Sequence, residues 1–196
     1  MNASAAAVRR SISELGMWVF LATEVLFFTR LHYPAAFAAA SRHTDVVLGT
    51  LNTAILLTSS LTMALAVSKL RLGAIRGSLA LLTATFLLGA AFFGLKILEY
   101  SHDYAAHLVP WLEFVFPAAH ARGARLFFLL YFVMTGAHAV HLIVGLGLLV
   151  AMIMAIERRR LTLRKYHKLE MVGLYWHLID IVWIFLYPLL YLVARA

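Results

Sequence analysis

The chain has 196 residues, of which 63% are hydrophobic and 13% charged, with a mean hydropathy of +0.87, a balance that belongs to a polytopic membrane protein and excludes an ordinary water-soluble domain. Its net charge of +8 does not read as a nucleic-acid surface, because the basic residues fall in short loops between apolar segments, where they act as orientation signals. The absence of cysteine rules out a disulfide, a thiolate metal site and a cysteine nucleophile.

Met1 to Ser13 is a short polar lead, and no small-residue cleavage site follows it, so no cleavable signal is expected. The first apolar segment, residues 12–33, contains GMWVFLATEVLFFTRLHYP. Its uncharged core is short for a span, so a full crossing uses Ile12 and the Arg30 to Tyr33 end, with Arg30 reaching to the interface. Glu24 interrupts this segment among apolar and small neighbours. A carboxyl group in such a setting either neutralises or finds a strong donor, which points to a proton-handling or lipid-contacting group. The structural alternative is a protonated acid hydrogen-bonded to a neighbouring helix. Pro34 is expected to end the helix pattern, leaving residues 35–45 as a polar-edged connection.

The second segment, 46–67, is rich in small and hydroxylated residues, and Asn52, Ser59, Met63 and Ala66 share one face. Such a surface allows close helix approach and interhelical hydrogen bonds. A basic turn from Lys69 to Arg76 precedes the third segment, 78–100, on which Gly89, Phe93, Lys96 and Tyr100 line up. Lys96 and Glu99 stand at the i, i+3 spacing of an ion pair. Residues 101–125 carry two prolines, three histidines and the apolar Trp111, Phe114 and Phe116, the composition of an interfacial lid.

The fourth segment, 126–156, places Tyr131, Met134, Thr135, His138, His141 and Gly145 on one stripe. His138 and His141 are one turn apart, a spacing that suits two metal ligands. The further ligands a site requires are scarce, so interhelical hydrogen bonding is the expected role and no metal is assigned. Haem ligation is likewise not expected of this chain.

After the basic loop ERRRLTLRKYHKLE comes the fifth segment, 171–193, with YWHLIDIVWIFLYPLLY at its heart. At about 100° per residue, Gly173, Trp176, Asp180, Trp183, Tyr187 and Tyr191 fall on one arc, with His177 at its edge. Leu178, Ile179, Ile181, Val182, Phe185, Leu186, Leu189 and Val193 fill the other side, which is expected to meet lipid or aliphatic packing. An aspartate in hydrocarbon is costly, about 2.5 to 3.5 kcal/mol on insertion scales, so Asp180 is expected to face protein.

The expected architecture is thus all-α, a single membrane domain over residues 1–196 with five transmembrane helices. Eleven basic residues would lie on the N-terminal side, from Arg9 and Arg10 through Lys69, Arg71 and Arg76 to the run from Arg158 to Lys168, against five on the other. That bias places the N-terminus in the cytoplasm and the C-terminus outside.

Taken together, the TEVLFF run with Glu24, the LNT of residues 51–53, Glu99 with Tyr100, TGAHAVHLIVG over 135–145 and YWHLIDIVWIFLY preceded by Glu170 resemble subunit III of the haem–copper oxidases. The resemblance covers about residues 16–192, in the short five-helix bacterial form. It implies a two-helix plus three-helix arrangement holding phospholipid in a groove, and a subunit without a redox centre of its own. Haem and copper would then reside in the partner catalytic subunit I, alongside subunit II, in the bacterial inner membrane. The same resemblance matches Glu24 to a carbodiimide-reactive carboxylate at the groove and gives the subunit a part in proton uptake and in the stability of the catalytic subunit. Asn52, Glu99, His138, His141, Glu170, Trp176, His177, Asp180 and Trp183 are expected to form an interhelical polar network. Two other readings are a subunit-III-like protein of nitric oxide reductase and a stand-alone proton-coupled transporter using Glu24 and Asp180. The transporter reading lacks the internal repeat and paired broken helices expected of that class.

Overall fold

A computed structural model describes residues 34–41, 46–105, 107, 121–158 and 167–192. The first apolar segment with Glu24 lies outside them. The described elements are α1 (Pro34–Ser41), α2 (Val46–Arg71), α3 (Ile75–Ala105), α4 (Ala121–Glu157) and α5 (His167–Tyr187), the last continued by a π-helical turn, Pro188–Leu192. Four of these helices, α2 to α5, are long and apolar enough to cross a membrane.

Pro34 starts a helix rather than ending one. Proline is favoured at the first helical position, where its missing N–H is not needed, and the alanines of PAAFAAAS favour continuation. Both ends of the expected lid, residues 101–105 and 121–125, are helical, and what lies between them, apart from residue 107, is outside the described residues. At the other end of the chain, Pro188 has no N–H for the helical ladder and the hydrogen-bond pattern widens to the π form.

The helices bury residues at alternating three- and four-residue steps. In α2 the buried set is Gly49, Asn52, Leu56, Ser59, Met63, Ala66 and Leu70; in α3 it is Ser78, Leu82, Thr85, Gly89, Phe92, Lys96, Glu99 and Asp103. That 3.5-residue repeat is the pattern of left-handed helix packing, with small residues setting close approach. On α3 it brings Phe92 inside, while Phe93, which lines up with Gly89 and Lys96, is only half-buried.

Two compact units divide the chain. One comprises residues 1–46, 102–136 and 185–196, the other residues 47–101 and 137–184. In the first, α1 lies against the π-helical turn. An aromatic cluster forms there from Phe127, Phe128, Tyr131 and Tyr191, with the Tyr131 and Tyr191 hydroxyls 3.4 Å apart.

In the second unit, α2 and α3 form a tight hairpin. Gly73, at φ +76°, takes the left-handed position, its N–H bonding to Leu70 O at 3.0 Å and that of Ala74 to Lys69 O at 2.9 Å. This closes α2 as a Schellman motif, a conformation that favours glycine. Thr62 and Thr85 hydroxyls meet at 2.8 Å, and Ser78 Oγ donates to Ala66 O at 2.9 Å.

Within that unit α5 is the central helix: half of its apolar window is buried, 50% against 22–28% in the other three long helices. For that reason Ile179 and Val182, expected on the lipid side, are buried, while Leu174, Ile181 and Ile184 remain exposed; beyond that unit Leu186 is buried too and Phe185 is exposed. Within this unit α2 is hydrogen-bonded directly to both α3 and α5; the five-helix count and the two-plus-three arrangement turn on the first apolar segment, which lies outside the described residues.

Candidate functional site

The site grows from two hydroxyl groups on α2. Inside a membrane a serine or threonine satisfies its own O–H by donating to a carbonyl one turn back, and its oxygen lone pairs stay available to another helix. Thr53 Oγ1 donates to Gly49 O at 2.8 Å and Ser59 Oγ to Leu56 O at 2.8 Å. Two indoles of α5, seven residues apart, take up the remaining acceptors. Trp176 Nε1 donates to Ser59 Oγ at 3.1 Å, and Trp183 Nε1 donates to Thr53 Oγ1 at 3.1 Å. Both tryptophans are fully buried.

Room for Trp176 comes from two glycines on two other helices. A Cβ at Gly89 of α3 would stand 2.7 Å from Trp176 Cη2, and one at Gly145 of α4 would stand 3.1 Å from its Cε3 and Cζ3. Trp176 therefore ties together α2, α3, α4 and α5. Trp183 does the same one layer on, with Phe92 edge-on at 4.8 Å, the His138 ring at 5.2 Å and Lys96 Nζ 5.0 Å from its ring centre. That ammonium also pairs with Glu99 at 2.7 Å, both side chains being buried, so the cation rests between a carboxylate and an aromatic face.

Between the tryptophan layers stands Asp180, 2% exposed. Ser60 faces it, yet the Ser60 hydroxyl lies 2.7 Å from His177 Nδ1 and neither carboxylate oxygen has a hydrogen bond of normal geometry among the described residues. Asn52 on α2 is fully buried beside Thr53, and His138 on α4 is buried; neither the Asn52 amide atoms nor His138 Nε2 has a hydrogen-bond partner among the described residues.

Other residues named from the sequence lie apart from this centre. His141 is half-buried and turns its Nδ1 to Ala137 O of its own helix at 2.8 Å, while its backbone carbonyl accepts from Tyr175 Oη at 3.3 Å. Its side chain therefore does not link α4 to another helix through that nitrogen. Glu170, in the first turn of α5, holds Arg71 at the end of α2 and His167 Nδ1, the latter at 2.7 Å. Arg71 as that partner, Thr53 as an indole acceptor and Phe92 beside Trp183 were not picked out from the sequence. The heptad run through Ser78, Thr85, Phe92 and Glu99 is the signal that finds Phe92.

The model of the cytochrome c oxidase subunit III family matches residues 2–195. This chain belongs to that family. Among its relatives, the quinol oxidase subunit 3 of Bacillus spizizenii is 31% identical over 92% of this chain and 86% of its own length. The cytochrome c oxidase subunit 3 of Bacillus subtilis is 32% identical over 93% and 86%. The cytochrome bo(3) ubiquinol oxidase subunit 3 of Pseudomonas aeruginosa is 32% identical over 91% and 84%. This subunit III family member is a multi-pass membrane protein, and its interior chemistry fixes helix register: each indole N–H finds its acceptor only when α2 and α5 lie at one offset.

Proposed function

We propose that this chain is the accessory third subunit of a haem–copper terminal oxidase that reduces oxygen in aerobic respiration, with haem and copper carried by the partner catalytic subunit I, alongside subunit II. The observation that carries the reading is the family match over residues 2–195, supported by relatives that serve both quinol and cytochrome c oxidases. The inward placement of the polar side chains of α2 to α5 supports it too, because it leaves the outward faces apolar. Leu61, Leu87, Val140 and Ile181 are each half or more exposed, as lipid or a membrane partner requires.

In this reading the first apolar segment supplies a fifth crossing, the N-terminus is cytoplasmic in the bacterial inner membrane, and the outward faces bind phospholipid. Glu24 is the proton- and lipid-related group, placed in an apolar segment where a carboxyl group neutralises or finds a donor. The subunit supports proton uptake and the working lifetime of the catalytic subunit.

Purification in mild detergent tests the assignment. The chain is expected to co-purify with a haem-bearing protein with an optical spectrum in the visible range; a chain that runs alone and colourless defeats the proposal. Glu24→Ala should leave initial oxygen reduction nearly intact while altering proton uptake or lifetime, and immediate loss of turnover in a normally assembled complex would place Glu24 in the chemistry itself.

A further inference from the structure

Five buried side-chain atoms of the second unit have no hydrogen-bond partner among the described residues: Asn52 Oδ1 and Nδ2, His138 Nε2, and Asp180 Oδ1 and Oδ2. Buried polar atoms are paired in the great majority of native structures, so five within about one helical turn of Trp183 call for a partner.

Their nearness to Trp183 follows from contacts and spacing. Asn52 adjoins Thr53, which accepts the Trp183 indole N–H at 3.1 Å. His138 places its ring 5.2 Å from Trp183. Asp180 precedes Trp183 by three residues, about 4.5 Å along the helix. Exposures of 0%, 4% and 2% for Asn52, His138 and Asp180 show that bulk solvent does not pair them.

The donor and acceptor inventory selects the ligand. The amide oxygen accepts, the amide nitrogen donates, the carboxyl oxygens accept and, when protonated, one of them donates, and the imidazole nitrogen does either. A direct bond between Asn52 and Asp180 would leave most of the five atoms unpaired. A cation would take the oxygens and repel the amide N–H. Water donates twice and accepts, and buried waters commonly make about three hydrogen bonds to such groups.

We propose that Asn52, His138 and Asp180 enclose an internal water site that joins α2, α4 and α5 beside Trp183. The bound water supplies the bonds that side chains from three helices cannot give one another.

A density map of the intact, natively purified membrane complex, at a resolution that shows ordered water, tests this. A peak about 2.6–3.2 Å from Asp180 and from Asn52 or His138 is expected, retained in Asp180→Asn and lost in Asn52→Leu. Direct contact between Asn52 and Asp180 without a peak, or a peak within cation distance below about 2.6 Å of several oxygens, overturns the proposal. Should the leucine variant assemble poorly, retention of the subunit in the complex gives a second reading. Asn52→Leu and Asp180→Leu should each lower retention about fivefold or more, while the double leucine variant should retain at least as much as the worse single. Losses that simply multiply would overturn it.

Discussion

Trp176 Nε1 donates to Ser59 Oγ at 3.1 Å across the interface of α5 and α2, and the serine is free to accept because its own hydroxyl proton goes to Leu56 O. Ser59→Ala removes the acceptor and leaves a buried indole N–H unpaired, a loss of about 1 to 3 kcal/mol. Ser59→Thr keeps the oxygen. Thermal retention of the subunit in its complex should fall for alanine and stay closer to the parent for threonine; equal loss in both would mean that packing, not the hydrogen bond, decides this position.

The two glycines around Trp176 predict an order of effects. Alanine at Gly89 meets Trp176 at 2.7 Å and alanine at Gly145 meets it at 3.1 Å, whereas Gly94 and Gly147 have nothing within 4 Å. Overpacking of this kind costs about 1 to 3 kcal/mol, while alanine for glycine in an open helical position gains about 0.5 to 1 kcal/mol. Melting temperatures should rank Gly89→Ala below Gly145→Ala, with Gly94→Ala and Gly147→Ala at or above the parent. Adding Trp176→Phe to Gly89→Ala should not lower it further by the full effect of the phenylalanine change alone.

Lys96 and Glu99 form a buried ion pair at 2.7 Å, with side-chain exposures of 6% and 7%. Removing one member of a buried ion pair typically costs about 3 to 5 kcal/mol, whereas neutralising both is often close to neutral. Lys96→Met should therefore lower the yield of assembled protein sharply, and Lys96→Met with Glu99→Gln should recover most of it. A double variant no better than the single would show that Lys96 acts chiefly through its place over the Trp183 ring, 5.0 Å away.

At the end of α2, by contrast, Arg71 is 59% exposed where it meets Glu170. An ion pair in water is screened and contributes little. Glu170→Gln should shift the melting temperature less than Ser59→Ala does, and half-molar salt should not change it in the parent; a larger shift would show that the Arg71, Glu170 and His167 cluster fastens the helices as strongly as the buried bonds.

The sequence alone made the membrane class, the four described long helices and the inward position of Trp176, Asp180 and Trp183 legible, because an apolar span with a polar arc has one low-energy orientation in hydrocarbon. It also placed Asn52, Ser59, Met63 and Ala66 on one face, all of them buried. Periodicity says which way a side chain points, not which helix waits there. Only the tertiary structure decided that Thr53 and Ser59 receive the two indoles, that Gly89 and Gly145 make room for Trp176, and that His141 stays with its own helix. It also decided that Ile179, Val182 and Leu186 are inside, since a helix surrounded on several sides buries faces that its own amphipathic pattern assigns to lipid. Such pairings depend on the offset between antiparallel helices, and that offset is chosen by which buried hydrogen bonds and close contacts form together.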